Sequence, residues 1–341
     1  MKMKAAVFYG PKQPLKVEEV EAPKAGPGEI LVKVAACGVC HTDLGYIDDG
    51  VPTFKKPPMI LGHESSGIVE DLGDGVDRFA KGDRVLIPAV FTCGDCAYCR
   101  VGRENICLNM RMLGNNMDGA YAEYVVAPAR DCLHLPEEIP LEEGCIIADA
   151  VSTPYHAVKN RAKVRPGDLV AVYGCGGVGM NVVQVAAATG AVVIAVDIDD
   201  DKLRTAIELG AWKTVNAKAL DPAKEIRKLT GGGVDIAIEA IGNPMTIEQA
   251  FASCKAGGRL CVVGYTNQDV KINAARLMFR EMEIVGSLGC RPVDYANIVE
   301  MARSGKIKVT ELVTGRFPLD SINEALDQQR TGKTLRLIIV M

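Results

Sequence analysis

What the chain lacks narrows it first. No apolar run reaches the roughly 18 residues needed to cross a bilayer, and the opening MKMKAAVFYG carries no apolar leader. The expectation is a cytoplasmic protein. Positive charge is not in excess: 39 Lys and Arg stand against 43 Asp and Glu, a formal net charge of -4. No stretch of Lys or Arg alternates with aromatics either, so a nucleic-acid partner finds no electrostatic footing. Internal repeats and low-complexity tracts are absent. Twelve cysteines in 341 residues are few for a disulfide scaffold. The length exceeds what a single hydrophobic core usually serves, so two domains are expected.

Four of those cysteines are concentrated. Cys93, Cys96, Cys99 and Cys107 lie in FTCGDCAYCRVGRENIC, close enough for four thiolates to converge on one tetrahedral zinc. Two unstrained disulfides would not fit such short loops. With every position filled by protein, this zinc would be structural, stapling an exposed loop. Cys37, Cys132, Cys145, Cys175, Cys254, Cys261 and Cys290 stand alone in apolar surroundings, as core thiols do.

Up to about residue 150 the chain alternates in short runs, ILVKVAACG, GIVEDLG, DRVLIP and AEYVVAP, broken by Gly, Pro and Asp. That pattern gives an irregular antiparallel β domain. From about residue 165 apolar runs alternate with helical stretches: DLVAVYG, VGMNVVQVAAATG, AVVIAVD, DDDKLRTAIELG, TVN, VDIAIEAIG, MTIEQAFASC and GGRLCVVGY. Repeated βαβ units imply a six-stranded, doubly wound parallel sheet. The last strand, TLRLIIVM, does not extend that count and is assigned back to the first domain. The expected division is 1–151 with 286–341 against 152–285, and a cleft between two such domains is where cofactor and substrate would meet.

GCGGVG follows one of these strands directly and opens a helix. Gly174 makes the tight turn, Gly176 lets backbone approach a pyrophosphate, and Gly179 permits close helix packing; Gly177 and Val178 complete the loop. The helix N-terminus then faces the phosphate charge. Asp197 ends the next strand, where a carboxylate can accept from an adenosine ribose and would repel a 2'-phosphate, which favours NAD over NADP. Lys202 either adds a ribose contact or is a solvated helix-face lysine. Asp199, Asp200 and Asp201 cap and begin that helix.

A second donor set is scattered: Cys40 in CGVCHTDL, His63 and Glu64 in GHE, and Asp149 in ADAVSTPYHA. One thiolate, one imidazole and one carboxylate leave a fourth position open, as at a catalytic zinc. Spacing alone does not bring them together. Taken singly, Cys40 reads equally as a core thiol, His63 as a hydrogen-bonded core histidine and Asp149 as a helix cap.

CGVCHTDL, GHESSGIVEDLGDGVDRFAKGDRV, the four-cysteine lobe, GCGGVG and the terminal GKTLRLI occur in the order found in the zinc-dependent medium-chain alcohol dehydrogenases, and nearly the whole chain resembles that family. The resemblance implies a GroES-like, β-rich catalytic domain joined to a Rossmann domain, with two zinc ions and NAD per chain. It implies Cys40 and His63 as ligands of the catalytic zinc and Glu64 as a neighbour able to approach the metal. Where most members have a third-ligand cysteine this chain has Asp149, similar to the aspartate of bacterial secondary-alcohol dehydrogenases. Cys145, one helical turn away, is the rival, but Asp149 keeps the family's distance to Tyr155.

The same resemblance implies hydride transfer between an alcohol, secondary or cyclic, and NAD. Thr42, two residues after the zinc cysteine, is the first proton relay, since its hydroxyl both accepts and donates. Many relatives have a histidine three residues beyond that hydroxyl; here it is Gly45. Asp43 is expected to orient the ligands, and His41 and Arg336 to lie near the cofactor pyrophosphate. A homotetramer or homodimer is implied. ADAVSTPYHAV and MRMLGNNMDGAYAEYVV are also similar to alicyclic hydroxyacyl-CoA dehydrogenases of the 6-hydroxycyclohexenecarbonyl-CoA type, an alternative within the family. From another class, the alternative is a catalytically silent zinc-binding scaffold. Tyr46, Ile47, Asn115, Tyr155 and Leu288 are candidate pocket residues.

Overall fold

A computed structural model describes all residues, 1–341, and divides them into two compact units. The first comprises Met1–Ala150, Cys290–Ser304 and Val309–Met341, and the second Val151–Gly289 with Gly305–Lys308. The second unit therefore reaches past residue 285 and also takes in a short return segment. Gln184, buried in the second unit, explains that segment: its side chain accepts from the Lys308 N–H at 2.8 Å and donates to the Lys308 carbonyl at 3.2 Å.

In the first unit the strand Glu29–Gly38 is the hub. It pairs antiparallel with Glu64–Leu72, Tyr124–Pro128 and Arg336–Val340. The C-terminal strand thus belongs to this sheet, where Ile338 and Gly38 are partners. Ile30, Val32, Val34, Val85, Ile87, Leu337 and Ile339 form part of its buried core. Removing such side chains from water is the main force holding the irregular sheet closed. The register also has a functional result. Gly38 lies opposite Glu64, so Cys40, just past one strand, and His63, just before the next, emerge at the same end of the sheet.

A separate two-stranded ladder pairs Val90 with Met112 and Phe91 with Arg111, and closes the base of the four-cysteine segment.

The second unit is a six-stranded, wholly parallel sheet in the order Lys213–Asn216, Val192–Asp197, Leu169–Tyr173, Val234–Glu239, Cys254–Val262, Glu283–Gly286. The order reverses beside Leu169–Tyr173, the switch point at which such sheets bind ligands. Its central strands are buried on both faces, which explains the nearly unbroken apolar runs in the sequence. No helix is long and apolar enough to cross a membrane.

Candidate active site and metal centres

In the lobe, the Sγ atoms of Cys93 and Cys107 are 3.4 Å apart, those of Cys96 and Cys99 3.5 Å, of Cys96 and Cys107 3.8 Å, and of Cys93 and Cys99 3.9 Å. None is bonded as a disulfide. Four sulfurs at 2.3 Å from a tetrahedral zinc would be about 3.8 Å apart, so the donor set fits that ion. Backbone N–H groups of Cys93, Cys96 and Asn109 point at these sulfurs at 3.3–3.4 Å. Such donors stabilise thiolate: those of Cys99 and Leu108 draw the Cys96 thiol down to about 6. Burial pushes Cys99 the other way, to about 12.

The second donor set converges as well. Ligand atoms of Cys40, His63, Glu64 and Asp149 all lie within 4.8 Å of one another, and Cys145 is not among them. His63 Nε2 is 3.7 Å from Asp149 Oδ2, while Nδ1 faces Asp43 Oδ1 at 3.6 Å. His63 and Glu64 are fully buried, and neither ring nitrogen nor either carboxylate oxygen has a hydrogen-bond partner. Buried polar atoms are seldom left so; Arg336 charge-pairs one Glu64 oxygen and Asp43 faces His63 Nδ1, while a metal ion would satisfy His63 Nε2. Burial opposes a charge on His63, but Asp43, Cys40 and Asp149 together outweigh it and raise its pKa well above the ordinary value. The pocket calls for a cation. Asp149 retains 21% side-chain exposure against 1% for His63, so the cluster is more open on the Asp149 side.

Thr42 sits in the first turn of the helix His41–Ile47, its Oγ1 3.6 Å from Cys40 Sγ. His41 is exposed, with Gln329 Nε2 3.0 Å from its Nδ1. Arg336, read from sequence only as a cofactor contact, is almost fully buried. Its guanidinium lies 3.2 Å from Glu64 Oε1 and donates to the Val39 carbonyl at 3.2 Å. Burial nonetheless dominates at Glu64, which is pushed up to about 7 against the pull of Arg336. A side chain at Gly38 would run into the Glu64 carboxylate, which fixes glycine there.

Gly174 turns the chain with φ +92° after the strand Leu169–Tyr173, and a Cβ on Gly179 would meet the Gly174 carbonyl at 1.7 Å. A Cβ on Gly176 would meet nothing within 4 Å. The space above Gly176 is clear for a ligand to approach the backbone, which fits a pyrophosphate. Helices Asp200–Glu208, Pro222–Thr230 and Pro244–Ser253 open on side-chain caps from Asp199, Asp221 and Asn243. The helix Gly177–Ala188, whose first turn holds Gly177, Val178 and Gly179, opens on Gly176 with no such cap, leaving its first N–H groups for an anion. Asp197 Oδ2 accepts from Cys175 N at 2.7 Å, and Oδ1 from Ile198 N at 2.7 Å and Asp199 N at 3.0 Å. Lys202 is half-buried in the first turn of the following helix.

Residues 26–137 match the family model of the alcohol dehydrogenase GroES-like domain, and residues 177–304 that of the zinc-binding dehydrogenases. An alcohol dehydrogenase of Geobacillus stearothermophilus is 39% identical over 332 residues, 97% of each chain. The chain belongs to the zinc-dependent medium-chain alcohol dehydrogenase family. It is an oxidoreductase of alcohols that works with zinc and a nicotinamide dinucleotide. An NAD-dependent alcohol dehydrogenase of Sulfurisphaera tokodaii is 34% identical over 333 residues, 95% of each chain. Among solved structures, a zinc-binding dehydrogenase of Sinorhizobium meliloti bound to NADP superposes with a TM-score of 0.93 at 30% identity over the whole of both chains. The alcohol dehydrogenase of Aeropyrum pernix does so with a TM-score of 0.91 at 34% identity, over 99% of this chain and 100% of that one.

In this dehydrogenase two features escaped sequence reasoning. One is the buried Glu64–Arg336 pair, whose members are 272 positions apart and meet only because their strands both border Glu29–Gly38. The other is Tyr121, whose hydroxyl donates to Asp43 Oδ2 at 2.8 Å. The tyrosine in DGAYAEYVV alternates like any strand residue, so no sequence signal marks it.

Proposed function

We propose that Cys40, His63 and Asp149 hold the catalytic zinc, that Cys93, Cys96, Cys99 and Cys107 hold a structural zinc, and that the dehydrogenase oxidises secondary or cyclic alcohols with NAD. The convergence of Cys40, His63, Glu64 and Asp149, more open on the Asp149 side, carries this reading. When bound, zinc supplies Lewis-acid polarisation of the substrate oxygen and NAD the hydride-accepting carbon. The chain's own residues do the rest. Cys40 and Asp149 contribute two negative charges that balance a divalent ion, and Asp43 keeps the Nδ1 proton of His63 pointing away from it. Thr42 Oγ1, beside the Cys40 sulfur, takes the hydroxyl proton of the substrate and passes it on. With Gly45 where many relatives have histidine, water or the cofactor ribose carries it further.

Gly174, Gly176, Gly177, Val178 and Gly179 form the pyrophosphate cradle, with Asp197 and Lys202 at the adenosine ribose. The three N–H bonds already on Asp197 fix its carboxylate in place, where it would repel a 2'-phosphate. That supports NAD over NADP. His41 and Arg336, the latter tied to Glu64, serve the pyrophosphate. Glu64 acts as a neighbour that can approach the metal. A homotetramer or homodimer in the cytoplasm completes the reading.

Zinc per chain, measured with NAD-dependent oxidation of primary alcohols, secondary alcohols and hydroxyacyl-CoA thioesters, tests it. Two zincs with turnover of secondary alcohols support the assignment. Preference for the thioesters would replace the substrate class, and one zinc without turnover would leave a silent scaffold.

A further inference from the structure

We propose that Tyr121 is a positioning residue for the catalytic metal: its hydroxyl fixes the Asp43 carboxylate that orients His63. The inference rests on the reading of Cys40, His63 and Asp149 as metal ligands.

Asp43 is fully buried, and its carboxylate offers about four acceptor positions. Oδ2 accepts from the Tyr121 hydroxyl at 2.8 Å and the Cys40 N–H at 3.3 Å. Oδ1 accepts from the Gly62 N–H at 3.3 Å and faces His63 Nδ1 at 3.6 Å. The two backbone donors are long. Tyr121 makes the one short bond, and it is charge-assisted in a site without competing water. The single hydroxyl proton has a second acceptor nearby, the Gly38 carbonyl at 3.2 Å, but the shorter distance and the negative charge favour Asp43.

Tyr121 is itself held rigidly. Its N–H donates to the Leu61 carbonyl at 3.0 Å and its carbonyl accepts from the Ala6 N–H at 2.8 Å. Its ring lies flush against Gly62, where φ is +92° and a Cβ would sit 2.8 Å from the ring. Gly62 immediately precedes His63. One tyrosine therefore touches the backbone beside the imidazole, the carboxylate facing Nδ1 and, through Asp43, the N–H of Cys40. Without the hydroxyl, Oδ2 keeps only its 3.3 Å bond, and the carboxylate is free to rotate its remaining lone pair away from His63.

Tyr121→Phe removes that oxygen alone. Starting from holoenzyme, the expected result is loss of one of two zincs to EDTA about tenfold faster than in wild type, the lower end of the effect for groups that orient a ligating histidine. The other zinc, in the cysteine lobe, should leave at the wild-type rate. After Co²⁺ replaces the faster-leaving zinc, its visible absorption bands should shift, a change that lost packing elsewhere would not cause. Unaltered EDTA kinetics with an unaltered Co²⁺ spectrum would overturn the proposal, whatever happens to Tm. Asp43→Asn approaches the same bond from the other side and should accelerate zinc loss at least as much. Retention like wild type there would overturn the proposal too, even if Tyr121→Phe fails to fold. If wild-type enzyme holds only the lobe zinc, the assignment of the ligands fails first and takes this inference with it.

Discussion

The four-cysteine lobe and the Cys40–His63–Asp149 cluster lie in the same structural unit and each gathers side chains around a point, but by opposite means. The lobe draws four like atoms from fifteen consecutive positions, and its backbone N–H groups bond to the sulfurs directly. The cluster takes three unlike atoms from segments more than twenty residues apart; strand register brings Cys40 and His63 to one end of the sheet, and Asp149 joins them from the end of the short helix Glu143–Ala148. Four sulfurs close a coordination sphere, whereas three mixed donors leave one position free. On the proposed reading, the local site would staple a loop and the site assembled from distant segments would receive substrate.

The comparison breaks most visibly on turnover. Asp149→Ala should cut kcat by about three orders of magnitude or more, because polarisation of the substrate oxygen supplies several kcal/mol of barrier lowering. Zinc should fall from two to one per chain while NADH fluorescence titration remains close to wild type. Parallel loss of NADH binding would point to misfolding instead. Cys99→Ser should do the reverse, removing the other zinc and lowering stability by roughly 3 kcal/mol, a Tm shift on the order of 6–12 °C. Turnover per folded molecule should survive. Full zinc with unchanged Tm would remove the structural role from the lobe.

A smaller effect separates the two sites by pH. In metal-free protein, burial pushes Glu64 up to about 7, and the surrounding anions overcome burial to raise His63. Both groups therefore bind protons more tightly folded than unfolded. Their contribution is complete below the unfolded values, near 4.5 and 6.5, and is lost as pH rises through the higher folded ones. Chemical denaturation of apoprotein should give roughly 2 kcal/mol less stability at pH 8 than at pH 5.5. Zinc-loaded protein should not show that decline, since its ligands are already deprotonated. A flat profile for the apoprotein would mean that the cluster does not hold protons in place of a metal.

These contrasts also explain what could be read without coordinates. The lobe and the glycine loop are local, so spacing and flanking pattern were enough to expose them. The six-stranded parallel sheet followed from alternating apolar runs and helices, because a fully buried parallel strand has no polar face to disguise it. Cys40, His63 and Asp149 were legible only through resemblance, since nothing in their spacing states that Gly38 and Glu64 face each other. The ion pair of Arg336 with Glu64 was hidden for the same reason: it depends on a strand from the far end of the chain. Residues 305–308 group with the second unit, where Lys308 bonds to Gln184, a contact that composition does not announce.

The finest test concerns the choice between two neighbouring ligand candidates. Cys145 is a thiol within four residues of Asp149 and would suit zinc better than a carboxylate by softness alone. It is fully buried, and its sulfur lies outside the group of converging ligand atoms that Asp149 joins. Cys145→Ala should therefore cost only about 1 kcal/mol for the sulfur's lost packing, with two zincs per chain and kcat retained. If the zinc count fell to one and turnover vanished, Cys145 would be the ligand and Asp149 its neighbour, and the catalytic cluster would share the lobe's reliance on sulfur more closely than its geometry indicates.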